Sequence, residues 1–142
     1  MRDESDEGAC ARLVVALMCS IDRRRVADIP ALFAEDGYFR TRTGEDIRGR
    51  EALAAMFAGF DPAKRIRHVL SPSHVWLTGE DSAEGLTDYM VYEGAPGAEA
   101  GAGPMASPGP TALNEIHSRF VRVEGRWHIA AHQVSPVFRF AR

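Results

Sequence analysis

The sequence predicts an α+β domain in which three N-terminal helices pack on one face of a curved, mixed or antiparallel sheet shaped as an open cone. Three observations lead there. Apolar residues recur at helical spacing through the first sixty positions, four long segments rich in Val, Ile, Trp, Tyr and Phe fill most of the remainder, and Gly79, Gly94 and Gly125 punctuate those segments. With 142 residues, 45% of them hydrophobic, the chain suits a single domain over residues 1–142 with one core.

In the first helix Ala9, Leu13, Ala16, Leu17 and Ile21 form the apolar stripe, and the acidic cluster from Asp3 to Glu7 complements the positive end of the helix dipole. Residues 23–27 make a polar connection, in which Arg23 to Arg25 read as a solvated turn that can send one arginine to the mouth of the cone. A second, shorter helix follows, with Asp28 as N-cap, Pro30 in the first turn and Ile29, Leu32 and Phe33 as its stripe. Gly37 ends it. Residues 38–43 and 46–48, separated by Gly44, form a short hairpin. Gly49 and Arg50 open the third helix, with Leu53, Met56, Phe57 and Phe60 on one face and Asp61-Pro62 as its stop. The four long strands are 65–78, 82–92, 113–124 and 126–140, joined as a meander. Between the second and third lies 94–110, whose Gly, Ala and Pro offer too little apolar surface to offset the entropy of ordering; a flexible flap or extended loop is expected there.

Composition excludes several classes of partner. Seventeen Lys and Arg against 20 Asp and Glu give a net charge of -3, without the basic excess that phosphate neutralisation needs, so no nucleic acid partner is expected. No apolar run reaches the roughly 20 residues that span a bilayer, and the acidic stretch from Met1 to Gly8 is unlike a basic signal peptide; the expectation is a cytoplasmic protein without membrane contact. Cys10 and Cys19, nine residues apart on one helix, face opposite ways about 13 Å apart along the axis. They cannot pair, and both are read as core packing residues. His128 and His132 on one strand are also about 13 Å apart, too far to share an ion, so no metal site is expected. There is neither a glycine-rich phosphate loop nor a nucleophile elbow, and no cofactor is called for.

The succession Ile21-Asp22-Arg23-Arg24, residues 31–37 (ALFAEDG), 47–53 (IRGREAL), Arg67-His68-Val69 and 120–127 (FVRVEGRW) resembles the landmarks of the SnoaL-like, or nuclear transport factor 2-like, superfamily. The resemblance runs in order along nearly the whole chain. It is closest to the branch that holds scytalone dehydratase and hexachlorocyclohexane dehydrochlorinase. It implies an acid/base dyad of Asp22 and His68: a buried carboxylate on one ring nitrogen fixes the tautomer, leaving the other nitrogen to take a proton from substrate. It also implies a substrate-binding role for His132, where the dehydrochlorinase carries a pocket arginine.

Departures from the family pattern narrow the chemistry. Ile21 and Thr41 stand where scytalone dehydratase has its carbonyl-polarising tyrosines. Thr41 and Leu17 replace the carboxylate base and oxyanion tyrosine of ketosteroid isomerase. Ser71-Pro72 interrupts the strand after His68, implying a bulge or an edge. Along the last strand Trp127, Ile129 and Ala131 alternate with His128, Ala130 and His132, so the two sets face opposite sides. His117 is expected to be exposed or at an interface, and His74 and Trp76 share a strand face. The resulting expectation is a cofactor-independent lyase, isomerase or cyclase for a small, largely apolar or polycyclic molecule. Its pocket walls would be Phe39, Thr41, Phe57, Tyr89, Val91 and Phe120. The competing expectation is a non-catalytic binding or assembly domain of the same fold. Under both, the sheet's outer face, with Trp76 and residues 137–140, is covered in a homo-oligomer, a dimer first and a trimer as the alternative.

Overall fold

The computed structural model describes residues 3–99 and 101–141. Helix α1 (Asp6–Asp22) is capped by Ser5, whose side chain accepts from the Gly8 N–H, and has Asp6 and Glu7 in its first turn. It buries Cys10, Val14, Leu17, Met18 and Ile21. That stripe is turned about one residue from the expected one, so Ala9, Leu13 and Ala16 sit at its margin. Cys10 belongs to the core, and burial, reinforced by the Asp6 and Glu7 carboxylates, pushes its thiol up to about 12. Cys19, expected in the core as well, is exposed on the far face.

The expected second helix is two successive 3-10 turns, Val26–Asp28 and Pro30–Leu32, which still bury Ile29. The chain turns extended at Phe33, four residues before Gly37, and Phe33–Arg40 is strand β1. Gly37 does not end a helix; it lies inside β1, where a Cβ would meet the Ile129 carbonyl oxygen at 2.7 Å and that of Ala34 at 3.0 Å. β1 pairs antiparallel with β2 (Asp46–Arg48), Tyr38 opposite Arg48, as the expected hairpin. Gly49 then opens α2 (Arg50–Ala58), which buries Leu53 and Phe57. The Arg50 guanidinium donates to the Phe33 carbonyl oxygen and so ties helix to strand.

The expected strand 65–78 is broken into β3 (Ile66–Leu70) and β4 (His74–Gly79) at Ser71-Pro72-Ser73. Pro72 has no N–H for a ladder. The gap is stitched by side chains, Ser71 Oγ accepting from the Asp88 N–H and Ser73 Oγ lying 2.7 Å from Thr87 Oγ1. Both pieces pair antiparallel with the long strand β5 (Ser82–Glu93), which continues into β6 (Pro110–Val123) and β7 (Arg126–Arg139) as a meander. β1 joins β7 in parallel, giving a curved, unclosed mixed sheet of seven strands ordered β2-β1-β7-β6-β5-β3, with β4 beside the other end of β5. One core lies between the helical segments and the sheet, uniting Leu17, Ile29, Phe33, Leu53, Phe57, Ile116, Phe120 and Ile129.

Residues 94–99 and 101–109 have no regular structure, but they are tethered. Arg65 donates to the carbonyl oxygens of Gly101 and Gly103, Ser107 donates to that of Glu93, and the Ala95 N–H donates to that of Ala106. Among the described residues no helix is long and apolar enough to cross a membrane.

Candidate active site

The open side of the sheet and the ends of α1 and α2 enclose a cavity of about 520 Å³. Met18 and Ile21 of α1, Phe39 of β1 and Thr41 just after it, Met56 and Phe57 of α2, His68 of β3, Tyr89 of β5 and Val134 of β7 line it. Arg24, Arg42, Asp61, Lys64 and Glu93 add charge to it. The volume lies in the ordinary range for small-molecule sites, which are mostly apolar with a few placed polar groups.

Asp22 is the last residue of α1 and is 8% exposed. A carboxylate at a helix C-terminus faces the negative end of the dipole, so its burial requires strong partners. His68 supplies two. Its Nδ1 lies 2.5 Å from Asp22 Oδ1, and its backbone N–H donates to Asp22 Oδ2 at 2.9 Å. Arg67 adds a bond to the Asp22 backbone carbonyl oxygen at 3.2 Å. With Nδ1 occupied, the His68 nitrogen left over is Nε2, which has no partner among the described residues and is not sealed from solvent. His68 is among the residues that line the cavity. The Tyr89 and His68 rings meet edge to face, centroids 5.3 Å apart.

The remaining sequence candidates divide. Phe39, Thr41, Phe57 and Tyr89 line the cavity. Val91, register partner of His68, and Phe120, 2% exposed, pack into the core instead of the cavity wall. His132 is fully buried and does not line the cavity either; Phe39, which does, stacks on it with centroids 4.8 Å apart. Its position corrects the expected alternation. Arg119 pairs with Ala131 but Phe120 with Ile129, so Ala130 is the extra residue of a β-bulge, and beyond it His132 and Val134 are buried on the helix side with Ile129. His132 thus no longer shares a side with His128. Both its ring nitrogens, and Oγ of its register partner Ser118, are buried without a hydrogen-bond partner among the described residues. Burial, and next the nearby His68, pushes the His132 pKa down to about 3, so the ring is neutral.

Other histidines lie elsewhere. His117 is hydrogen-bonded to Glu84 on the outer face, and His74 lies against Trp76. Among the described residues no group of three or more His, Cys, Asp or Glu is placed to hold a metal ion. Sequence reasoning missed Met18, Met56, Lys64 and Arg42 as lining residues. The helical stripes running into Asp22 and Phe57 were the signal for the two methionines; the loop cations gave none. Of the three consecutive arginines, Arg24 reaches the mouth, where its guanidinium donates to the backbone oxygens of Asp61 and Lys64 and closes the rim.

Solved structures share this architecture. An NTF2-like protein with a cystatin-like fold from Novosphingobium aromaticivorans aligns with a TM-score of 0.72 at 19% identity, covering 93% of this chain and 82% of the other. A candidate scytalone dehydratase from the same organism gives 0.72 at 17%, covering 92% and 83%. ActVI-ORFA from Streptomyces coelicolor gives 0.72 at 20%, covering 90% and 94%. At such identities the likeness is one of fold. Among proteins with curated functions, none matches the chain by sequence. Residues 2–132 match the family described as the SnoaL-like domain, and the chain belongs to that family.

Proposed function

We propose that this domain is a cofactor-independent acid/base enzyme, a lyase, isomerase or cyclase, that acts on a small, largely apolar or polycyclic molecule through His68 and Asp22. The supporting observation is the buried Asp22–His68 pair, with one ring nitrogen engaged and His68 in the lining of a mostly apolar cavity. The carboxylate holds the Nδ1–H tautomer and stabilises the imidazolium that forms when Nε2 takes a proton. Phe39, Phe57 and Tyr89 bind the substrate by burial, and Thr41 contributes a hydroxyl at the rim. Val91 and Phe120 brace the wall from behind. His132 meets substrate only when Phe39 turns aside. A likeness in fold to the candidate scytalone dehydratase agrees with processing of a small molecule.

A panel of polycyclic ketones, alcohols and halides, followed by mass spectrometry, is the first test. His68→Ala and Asp22→Asn are expected to lower turnover of any hit by about 100-fold or more while binding persists. Unchanged turnover in His68→Ala removes this histidine from the mechanism and leaves a binding domain.

The proposal includes a homodimer, formed through the outer face of the sheet. Val137, Phe138 and Phe140 are 48%, 60% and 38% exposed at the end of the chain, an apolar tail of a kind usually covered. Light scattering on the eluting protein is expected to give twice the 15.6 kDa chain mass, and Phe138→Asp to halve it. A monomer in both proteins excludes the dimer.

A further inference from the structure

The lining of the cavity carries charges that the Asp22–His68 pair does not use: Arg24, Arg42 and Lys64 against Asp61 and Glu93. Lys64 and Glu93 offset one another at 3.3 Å. Asp61 keeps its own loop closed, one carboxylate oxygen accepting from the Ala63 N–H at 2.9 Å. Arg24 and Arg42 form no ion pair among the described residues. Arg24 Nη2 donates to the backbone oxygens of Asp61 and Lys64, which carry no net charge to offset it, and its Nε and Nη1 donors are left over. Its backbone is costly to hold. Arg24 follows the C-cap of α1 at φ 58°, where its N–H donates to the Ile21 oxygen at 3.2 Å and the Arg25 N–H to that of Ser20 at 2.9 Å. That left-handed position is the usual place of glycine. What an arginine adds there is its guanidinium, which lies over the Phe60 ring, 5.8 Å from its centroid, at the mouth. Arg42 is exposed in the turn from β1 to β2, which is closed by the Thr41 N–H on the Glu45 oxygen at 2.8 Å and the Gly44 N–H on the Thr41 oxygen at 2.9 Å. The Asp46 carboxylate beyond it is taken by Arg40. The charge of Arg42 nonetheless reaches inward, favouring negative charge at Tyr89.

Resting on the reading of this cavity as a substrate pocket, we infer that Arg24 and Arg42 form a recognition site for a carboxylate, so that the ligand is an apolar or polycyclic acid held with its anionic end at the mouth. A guanidinium presents paired N–H donors that match the two oxygens of a carboxylate, and it stays charged at any working pH. The apolar lining, Met18, Ile21, Phe39, Met56 and Phe57, takes the rest of the molecule. Asp22 sets the direction. Its buried charge behind His68 repels an anion from that part of the cavity while the two arginines attract it to the rim, so the uncharged end of the molecule is the one that meets the imidazole. A neutral compound of the same shape buries the same surface but leaves both arginines in water and has no preferred end. The arginines are specificity residues, remote from the reacting atoms, and they act on which molecules enter and which end leads.

Two probes with one ring system test this without the natural substrate: 2-naphthoate and the neutral 2-naphthalenemethanol, their affinities measured by calorimetry at neutral pH. Wild-type protein is expected to bind the acid about 10-fold or more tightly than the alcohol, an advantage that shrinks as salt is added. Arg42→Gln removes a side chain with no ion pair in the fold, so its melting temperature should stay within a few degrees. Its advantage for the acid should fall by most of that factor, with the alcohol bound as before, and Arg42→Glu should reverse the preference. Arg24→Gln also loses the two rim bonds, so it is judged on the ratio of the two affinities below its melting transition, and that ratio should fall too. A lower melting temperature with an unchanged ratio overturns the part of Arg24. A wild type that binds the alcohol as well as the acid, or does not bind the acid, overturns the inference, as does an Arg42→Gln protein with the full advantage. None of these readouts depends on turnover. The advantage is expected to persist in His68→Ala, so unchanged turnover in that variant strikes the base and leaves the carboxylate site standing.

Discussion

Asp22 and His132 are both buried polar residues beside one cavity, and opposite solutions keep them there. Asp22 has three hydrogen bonds from β3 to its carboxylate and backbone oxygens, so the helix end can hold it buried. The His132 ring has no hydrogen-bond partner among the described residues and stays buried only as the neutral ring, stacked on Phe39. The sign of its pH effect follows. With its folded-state pKa lowered to about 3 from 6.5, the unfolded chain binds the extra proton between those values. Stability therefore falls as pH drops below 6.5 and stops falling from this source near pH 3, with a slope on the order of 1 kcal/mol per pH unit in between. His132→Phe, which keeps the stack, is expected to flatten that slope in urea titrations at pH 7, 6 and 5. A slope equal to wild type would mean that other groups govern acid lability. Asp22 and His68 could be found from sequence because each sits at a recognisable landmark, a helix end and the Arg-His pair of a strand. The burial of His132 could not, because Ala130, the residue that reverses its face, is not marked by a glycine or proline.

At the scale of elements, local signals fixed types better than lengths. Pro30 does open a turn, but Asp28, expected as the N-cap, is instead the last residue of the turn before it and caps nothing; neither turn extends, since Phe33 is taken into the sheet by pairing with Ile129. That partner lies 96 positions along the chain, beyond any local pattern. Pro72, by contrast, announced its strand break directly. Gly37 looked like a helix stop and is instead required by a close approach of β1 to β7. Gly37→Ala would press a methyl group against two backbone oxygens, neither of which can rotate away. A loss of about 2 kcal/mol or more is expected, read as a lower urea midpoint at unchanged slope. A midpoint equal to wild type would show that the strands can part there without penalty.

For the whole molecule, the α+β class and the meander were legible from the switch between helical spacing and long β-rich segments. The sheet order was not. Joining β1 to β7 in parallel brings residues 33–40 beside 129–133, and this union of chain ends puts Phe39 over His132 and lets residues from four strands or their ends meet α1 and α2 around one cavity. The loop 94–109 shows a similar limit. Its composition named it as a loop, but the tethers from Arg65 to the Gly101 and Gly103 oxygens depend on tertiary placement.

The bond from the His68 backbone N–H to Asp22 has a meaning apart from chemistry. β3 is the last strand in its sheet order, and His68 pairs with Val91 on one side only. An N–H turned away from β5 at such a border is an invitation to another chain's strand, the usual route to edge-to-edge aggregation. Asp22 occupies that N–H with a charged group from a helix end. The carboxylate that orients the imidazole is thus also a guard on the sheet border, and this second duty makes an acceptor at position 22 useful to the fold even without turnover.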